Sequence, residues 1–183
     1  MKRLKEQVQS ELNKKILNEL KYKNIFQIPK LEKISINIGI GKYKDDMPRI
    51  TRIANDLYKI TGQKPKLCKS KKAISGFKLR EGDIIGLNLN LRGKRMYEFL
   101  EKLLYITIPR VRDFRGLKTT SIDQNNNLTI GIRENIIFPE IAYERIEDIY
   151  GLQITFVTTA KNNKEALILF KTLGFPFAKM EDK

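Results

Sequence analysis

The chain has 183 residues, with 36 Lys and Arg against 21 Asp and Glu, no His, no Trp and a single Cys. That length suits one domain burying roughly 70% of its unfolded surface, and 41% apolar with 31% charged residues describes a globular chain rather than a disordered or membrane-spanning one. One Cys without His excludes an internal disulfide and ordinary zinc sites, and the lack of His removes serine-triad, Cys–His and His-base catalysis.

Leu4, Val8, Leu12, Ile16 and Leu20 step at helical spacing and predict an amphipathic helix over residues 4–22. Next, "LEKISINIGIG" alternates, with Ile34, Ile36, Ile38 and Ile40 on one face and Lys33, Ser35 and Asn37 on the other. That is a strand of a sheet covered on one side only. Asp45 or Asp46 caps a helix near Pro48, whose buried stripe is Ile50, Ile53, Leu57 and Ile60 and whose end is Gly62. Residues 64–82 read as a short strand leading into a long basic loop, to which Gly76 lends flexibility. In "DIIGLNLNLRG", Ile85, Leu87, Leu89 and Leu91 oppose Asn88, Asn90 and Arg92, giving a second half-wet strand. A helix over 94–106 buries Met96, Phe99, Leu100 and Leu103, and leaves through "TIPRVRDFRG", punctuated by Pro109 and Gly116. "DQNNN" is a turn, "LTIGI" a strand, and 133–150 an irregular, mildly acidic stretch. "LQITFVTTA" is the last strand, and a helix over 163–173 stops at Gly174 and Pro176.

The expected fold is α+β: a single antiparallel β-sheet with helices packed on one face and the other face open. Neither a repeat nor a linker divides it, so 1–183 reads as one domain with a protruding basic loop at about 69–82. The open face would carry Lys33, Ser35, Asn37, Asn88, Asn90 and Arg92. Amides and hydroxyls there can address phosphates, sugars and base edges, although a merely solvated sheet face would look the same.

Charge bears on that choice. Residues 1–120 carry 29 Lys and Arg against 12 Asp and Glu, whereas 121–183 carry 7 against 9. A basic body of this kind points to a polyanionic partner, above all nucleic acid. A membrane is a poorer fit, because the apolar runs fall far short of the about 20 residues needed to span one. The first 25 residues lack the apolar core of a secretory signal, and Glu6, Glu11 and Glu19 are unlike a transit peptide. Within 64–80, Lys64, Lys66, Lys69, Lys71, Lys72, Lys78 and Arg80 occur without one carboxylate, around a Phe77 able to stack on a base. A second basic cluster, Arg110, Arg112 and Arg115 with Lys118, surrounds Asp113 and Phe114. It reads equally as an Arg–Asp surface network or as an RNA contact. "GIGKYK" lacks the spacing of a phosphate-binding loop. Glu144, Glu147 and Asp148 have no His or Cys beside them, so neither a metal nor another cofactor is expected.

"GQKP", "KKAISGFKLREG", "LRGKRMYEFLEKL", "IPRVRDFRG", "RENIIFPEI" and "FPF" stand in order over nearly the whole chain. In these segments the sequence resembles the bacterial-type large-subunit ribosomal protein five family, which binds 5S rRNA. The resemblance implies an antiparallel sheet with helices packed on it and no enzymatic activity. It implies a place among the large-subunit rRNA, in the central protuberance, on a ribosome of a bacterial cytoplasm or of an organelle. It implies 5S rRNA contacts at Asn37, Gln63 and position 90, where Asn90 departs from the expected Thr; Lys64 lies beside Gln63. The loop bearing Lys69, Lys71, Lys72, Phe77, Lys78 and Arg80 is implied to reach the peptidyl-site tRNA. An intersubunit bridge to small-subunit ribosomal protein thirteen would use either Arg110, Arg112 and Arg115 or the acidic stretch at 140–148. Two rivals from other classes are a magnesium-dependent RNA-processing enzyme using Glu144 or Asp148, and a DNA-binding regulator, for which no recognition-helix motif is found.

Overall fold

Ile34, Ile36, Ile38 and Ile40 are each at most 1% exposed in the computed structural model of the chain, which describes residues 13–20, 22, 24–141 and 149–178. These isoleucines lie on or just past strand β1 (Leu31–Gly39), and the residues between them are half-buried or exposed. The period-2 pattern therefore sorts the strand into a dry and a wet face, as its alternation predicts. Four more strands follow: β2 (Lys66–Lys69), β3 (Ile84–Leu91), β4 (Leu128–Ile132) and β5 (Leu152–Thr158). They form one five-stranded antiparallel sheet in the order β2-β3-β1-β5-β4, which with four described α-helices makes an α+β fold. No helix among the described residues is long and apolar enough to cross a membrane.

The chain divides into two compact units. One comprises the described residues up to Ile34, Arg92–Ile130, and those from Thr155 onward; the other comprises Ser35–Leu91 and the described part of Gly131–Ile154.

In the second unit, helix α2 (Met47–Thr61) begins where Asp46 Oδ1 accepts a hydrogen bond from the Arg49 N–H at 3.0 Å. Asp46, not Asp45, is thus the cap, and Pro48 occupies the first turn, where its missing N–H is not needed. The helix ends at Gly62, whose φ of 69° is the left-handed conformation that glycine tolerates.

In the first unit, helix α1 (Asn13–Leu20) is the described part of the N-terminal amphipathic segment; Leu4, Val8 and Leu12 lie outside the described residues. It packs against helix α4 (Asn163–Thr172), and nearby the Tyr22 hydroxyl donates to Glu165 Oε1 at 2.7 Å. Glu165 is a buried carboxylate, and its Oε2 accepts from the Lys161 N–H at 3.0 Å, tying down the chain that enters α4. Phe156, Phe170 and Phe175 meet edge to face, with Phe175 4.9 and 5.3 Å from the other two ring centres.

Helix α3 (Gly93–Lys102) runs into a π-turn over Leu103–Thr107 and a 3-10 turn over Ile108–Arg110 rather than continuing as a regular helix to 106. The widened turn closes on an Ile108 N–H bond to the Leu103 carbonyl. It buries Leu103, Leu104, Thr107 and Ile108 while leaving Tyr105 and Ile106 outside.

Candidate nucleic-acid interface

The predicted polar face is accessible. In the second unit Asn37 and Asn90 are exposed, and Ser35 and Asn88 are half-buried. The Ile40 N–H donates to the Ile85 carbonyl at 3.0 Å. That bond joins the end of β1 to β3, its neighbour in the sheet. Among the described residues, none of the three asparagine side chains has a hydrogen-bond partner, which leaves their amides available to a ligand.

Gln63 joins this group by a local mechanism. After Gly62 turns the chain, Thr61 Oγ1 donates to the Leu57 carbonyl at 2.6 Å and accepts from the Gln63 N–H at 3.3 Å. The Gln63 side chain then reaches β3, where its Nε2 donates to the Asn90 carbonyl at 3.1 Å. Gln63 and Asn90, far apart in sequence, are thereby neighbours. Lys64 follows as an exposed cation.

The basic segment is the loop of the β2–β3 hairpin, since β2 ends at Lys69 and β3 begins at Ile84, and backbone bonds give this loop internal order. Lys66, Leu67 and Cys68 pair with Asn88, Leu87 and Gly86; the register then slips by one residue, so Lys69 pairs with Ile84. Beyond Lys69 the pairing is discontinuous. The Ser70 N–H bonds the Asp83 carbonyl at 2.8 Å, and Ile74 and Leu79 exchange both backbone bonds at 3.0 and 3.1 Å. A 3-10 turn at Ser75–Phe77 closes the tip, and Lys78, not Gly76, takes the left-handed conformation, at φ 51°. These internal bonds had no sequence signal, because a loop wet on both sides shows no hydrophobic alternation.

Lys69, Lys71, Lys72, Lys78 and Arg80 are all exposed on this arm, with Phe77 at 74% exposure near its tip. Asp83, just beyond the carboxylate-free run, folds back into it. Its Oδ2 accepts from the Arg80 N–H at 2.8 Å and faces Lys44 Nζ at 3.4 Å. The Arg80 N–H bond is the largest influence and holds the Asp83 carboxyl below its ordinary pKa; desolvation, next in size, opposes it, and the Lys44 ammonium adds to the lowering.

In the first unit Lys33 is half-buried, and Arg92 is exposed with its guanidinium 3.6 Å from Glu32. Such an exposed pair leaves the cation open to exchange for a phosphate. Arg110, Arg112 and Arg115 are exposed, and among the described residues no ion pair links them to Asp113, so the Arg–Asp network is not formed. The segment is seated by backbone bonds: the Leu117 N–H donates to the Pro176 carbonyl at 2.8 Å, and the Ala178 N–H to the Leu117 carbonyl at 3.0 Å. Glu144, Glu147 and Asp148 lie outside the described residues. One exposed feature had no sequence signal. Phe26 is 85% exposed on a 3-10 turn at Ile25–Gln27, with Lys30 Nζ 5.8 Å from its ring centre.

The sequence profile described as ribosomal protein L5 matches residues 24–80, and the profile for the C-terminus of the same ribosomal family matches residues 84–177. The two together cover most of the chain. The chain belongs to the ribosomal protein L5 family. It is 48% identical to the large ribosomal subunit protein uL5 of Caldanaerobacter subterraneus subsp. tengcongensis over 179 residues, 98% of this chain and 100% of that protein. It is 46% identical to uL5 of Heliobacterium modesticaldum, covering 97% and 98% of the two chains. With uL5 of Francisella tularensis subsp. novicida the identity is 49%, covering 97% and 99%. As a ribosomal protein L5 family member the chain is a structural, non-enzymatic constituent of the large ribosomal subunit. The three relatives are bacterial proteins of the large ribosomal subunit, and family membership places this chain in a ribosome.

Proposed function

We propose that the chain works as one RNA-binding domain that holds 5S rRNA in the large subunit, and that its basic hairpin arm reaches the peptidyl-site tRNA. Asn37, Gln63 and Asn90, with Ser35, Asn88 and Lys64 around them, would address the 5S rRNA. Lys33 and Arg92 would neutralise phosphates. Arg110, Arg112 and Arg115 would serve the bridge to small-subunit ribosomal protein thirteen, since their guanidinium groups are not held by Asp113. The observation that carries the reading is the Gln63–Asn90 hydrogen bond. It gathers two of the three amides that the family resemblance assigns to 5S rRNA, from segments 27 residues apart.

The test is footprinting of a 5S rRNA transcript with the intact protein and with a variant carrying Asn37→Ala and Gln63→Ala. A discrete protected region that the variant loses is expected. Protection unchanged by both substitutions, or preference for duplex DNA in competition, would overturn the reading.

A further inference from the structure

We infer that Lys44, a residue outside the basic arm, is a positioning residue that sets the arm's conformation for RNA, acting through Asp83 and the Lys78 carbonyl. The inference rests on the proposed RNA contact of the arm and adds what holds the arm ready for it.

Lys44 follows a 3-10 turn at Gly41–Tyr43 that is itself fixed. The Tyr43 N–H donates to the Ile40 carbonyl at 2.8 Å, the Asp46 N–H donates to the Tyr43 carbonyl at 2.9 Å, and the Arg49 guanidinium lies 3.7 Å over the Tyr43 ring. From this base the half-buried Lys44 ammonium donates to the Lys78 carbonyl and pairs with Asp83 Oδ2. Lys78 is the arm's left-handed residue, a conformation that a side chain disfavours unless neighbours enforce it. Asp83 in turn fixes the Arg80 N–H. One cation therefore ties down both ends of the segment 78–83, and together they line a shallow polar groove with Asp45 and Leu79. Because Lys44 and Asp83 neutralise each other, the pair adds no net attraction for a polyanion. What it contributes is order, which lowers the conformational entropy lost when the arm engages RNA.

Two substitutions separate order from charge. Asp83→Ala raises the net charge by one, so simple electrostatics requires tighter RNA binding, whereas loss of positioning requires weaker binding. Lys44→Gln is compared with Lys42→Gln, which removes the same charge from an exposed neighbour, and with Lys44→Arg as rescue. Affinity for deacylated tRNA is measured at fixed salt, and amide exchange is measured over 74–82 in the free protein. Asp83→Ala and Lys44→Gln should speed exchange about tenfold and weaken tRNA binding severalfold beyond Lys42→Gln, with Lys44→Arg restoring both. Unchanged exchange, or tighter binding by Asp83→Ala, overturns the positioning role. Loss of the proposed tRNA contact itself would show differently, as affinity indifferent to the loop lysines while the exchange result still stands.

Discussion

The Gln63 side-chain amide donates to the main-chain carbonyl of Asn90 at 3.1 Å, so the link between the two residues does not depend on what side chain position 90 carries. The departure from Thr at position 90 is therefore compatible with the geometry. Asn90→Thr should change unfolding free energy by no more than about 0.5 kcal/mol, because an exposed strand residue is being exchanged for one that suits a strand. Denaturant titration checks this; a larger loss would show that the asparagine amide supports the fold.

Charge on the arm should be read directly in salt dependence. If five of its cations meet phosphates, replacing Lys69, Lys71, Lys72, Lys78 and Arg80 by Ala should reduce the log–log salt slope of RNA binding by roughly 3.5 to 4.5. An unaltered slope would mean that the arm points away from RNA.

Alkaline pH should expose the Tyr22–Glu165 bond. Donation to the Glu165 carboxylate, aided by desolvation, raises the Tyr22 pKa above its ordinary value near 10. The unfolded chain ionises this tyrosine first. Its contribution is thus complete below about pH 10 and is lost as pH rises through the higher folded value. Tyr22→Phe should lower the melting temperature at neutral pH and make the decline above pH 10 shallower. A wild-type decline unaffected by the substitution would refute this.

Asp83 behaves in the opposite sense. Its folded pKa is depressed, so the order it gives the arm is present above the ordinary carboxylate range and is lost as pH falls through the folded value. Amide exchange at Arg80, corrected for intrinsic rates, should accelerate below about pH 4 and should not do so in Asp83→Ala. The same profile in both proteins would separate the arm's order from this carboxylate.

Gly116 has a φ of 98°, and a Cβ built there would lie 2.6 Å from the Ala178 nitrogen. Gly116→Ala should destabilise the protein by about 2 kcal/mol or more, since backbone must move to admit the methyl group. Calorimetry would show it, and a variant as stable as wild type would contradict the close approach.

Much of the fold was legible because hydrophobic period reports burial. The isoleucines of β1 and the stripe of α2 are buried as their spacing requires, and Asp46 with Pro48 marks the helix start. The exposed amides of β1 and β3 were legible for the same reason, as the complement of that pattern. What escaped depends on partners distant in sequence or on backbone geometry. Glu165 reads as an ordinary surface carboxylate until Tyr22 is brought against it. Lys44 reads as one more cation in a basic chain until Asp83 and the Lys78 carbonyl converge on it. The π-turn after α3 follows the same apolar spacing as a regular helix, so period alone could not distinguish them.

The one-residue slip at Cys68/Lys69 has a consequence for how the arm can vary. Side chains on a paired ribbon alternate between its two surfaces, so gaining or losing one residue on a single side would exchange the surfaces on which the paired Lys66 and Lys69 emerge. Changes that lengthen both sides equally would carry the tip outward while keeping each charge on its own side. The reach of the arm can therefore change without moving Lys66 or Lys69 to the opposite surface, provided both sides change together.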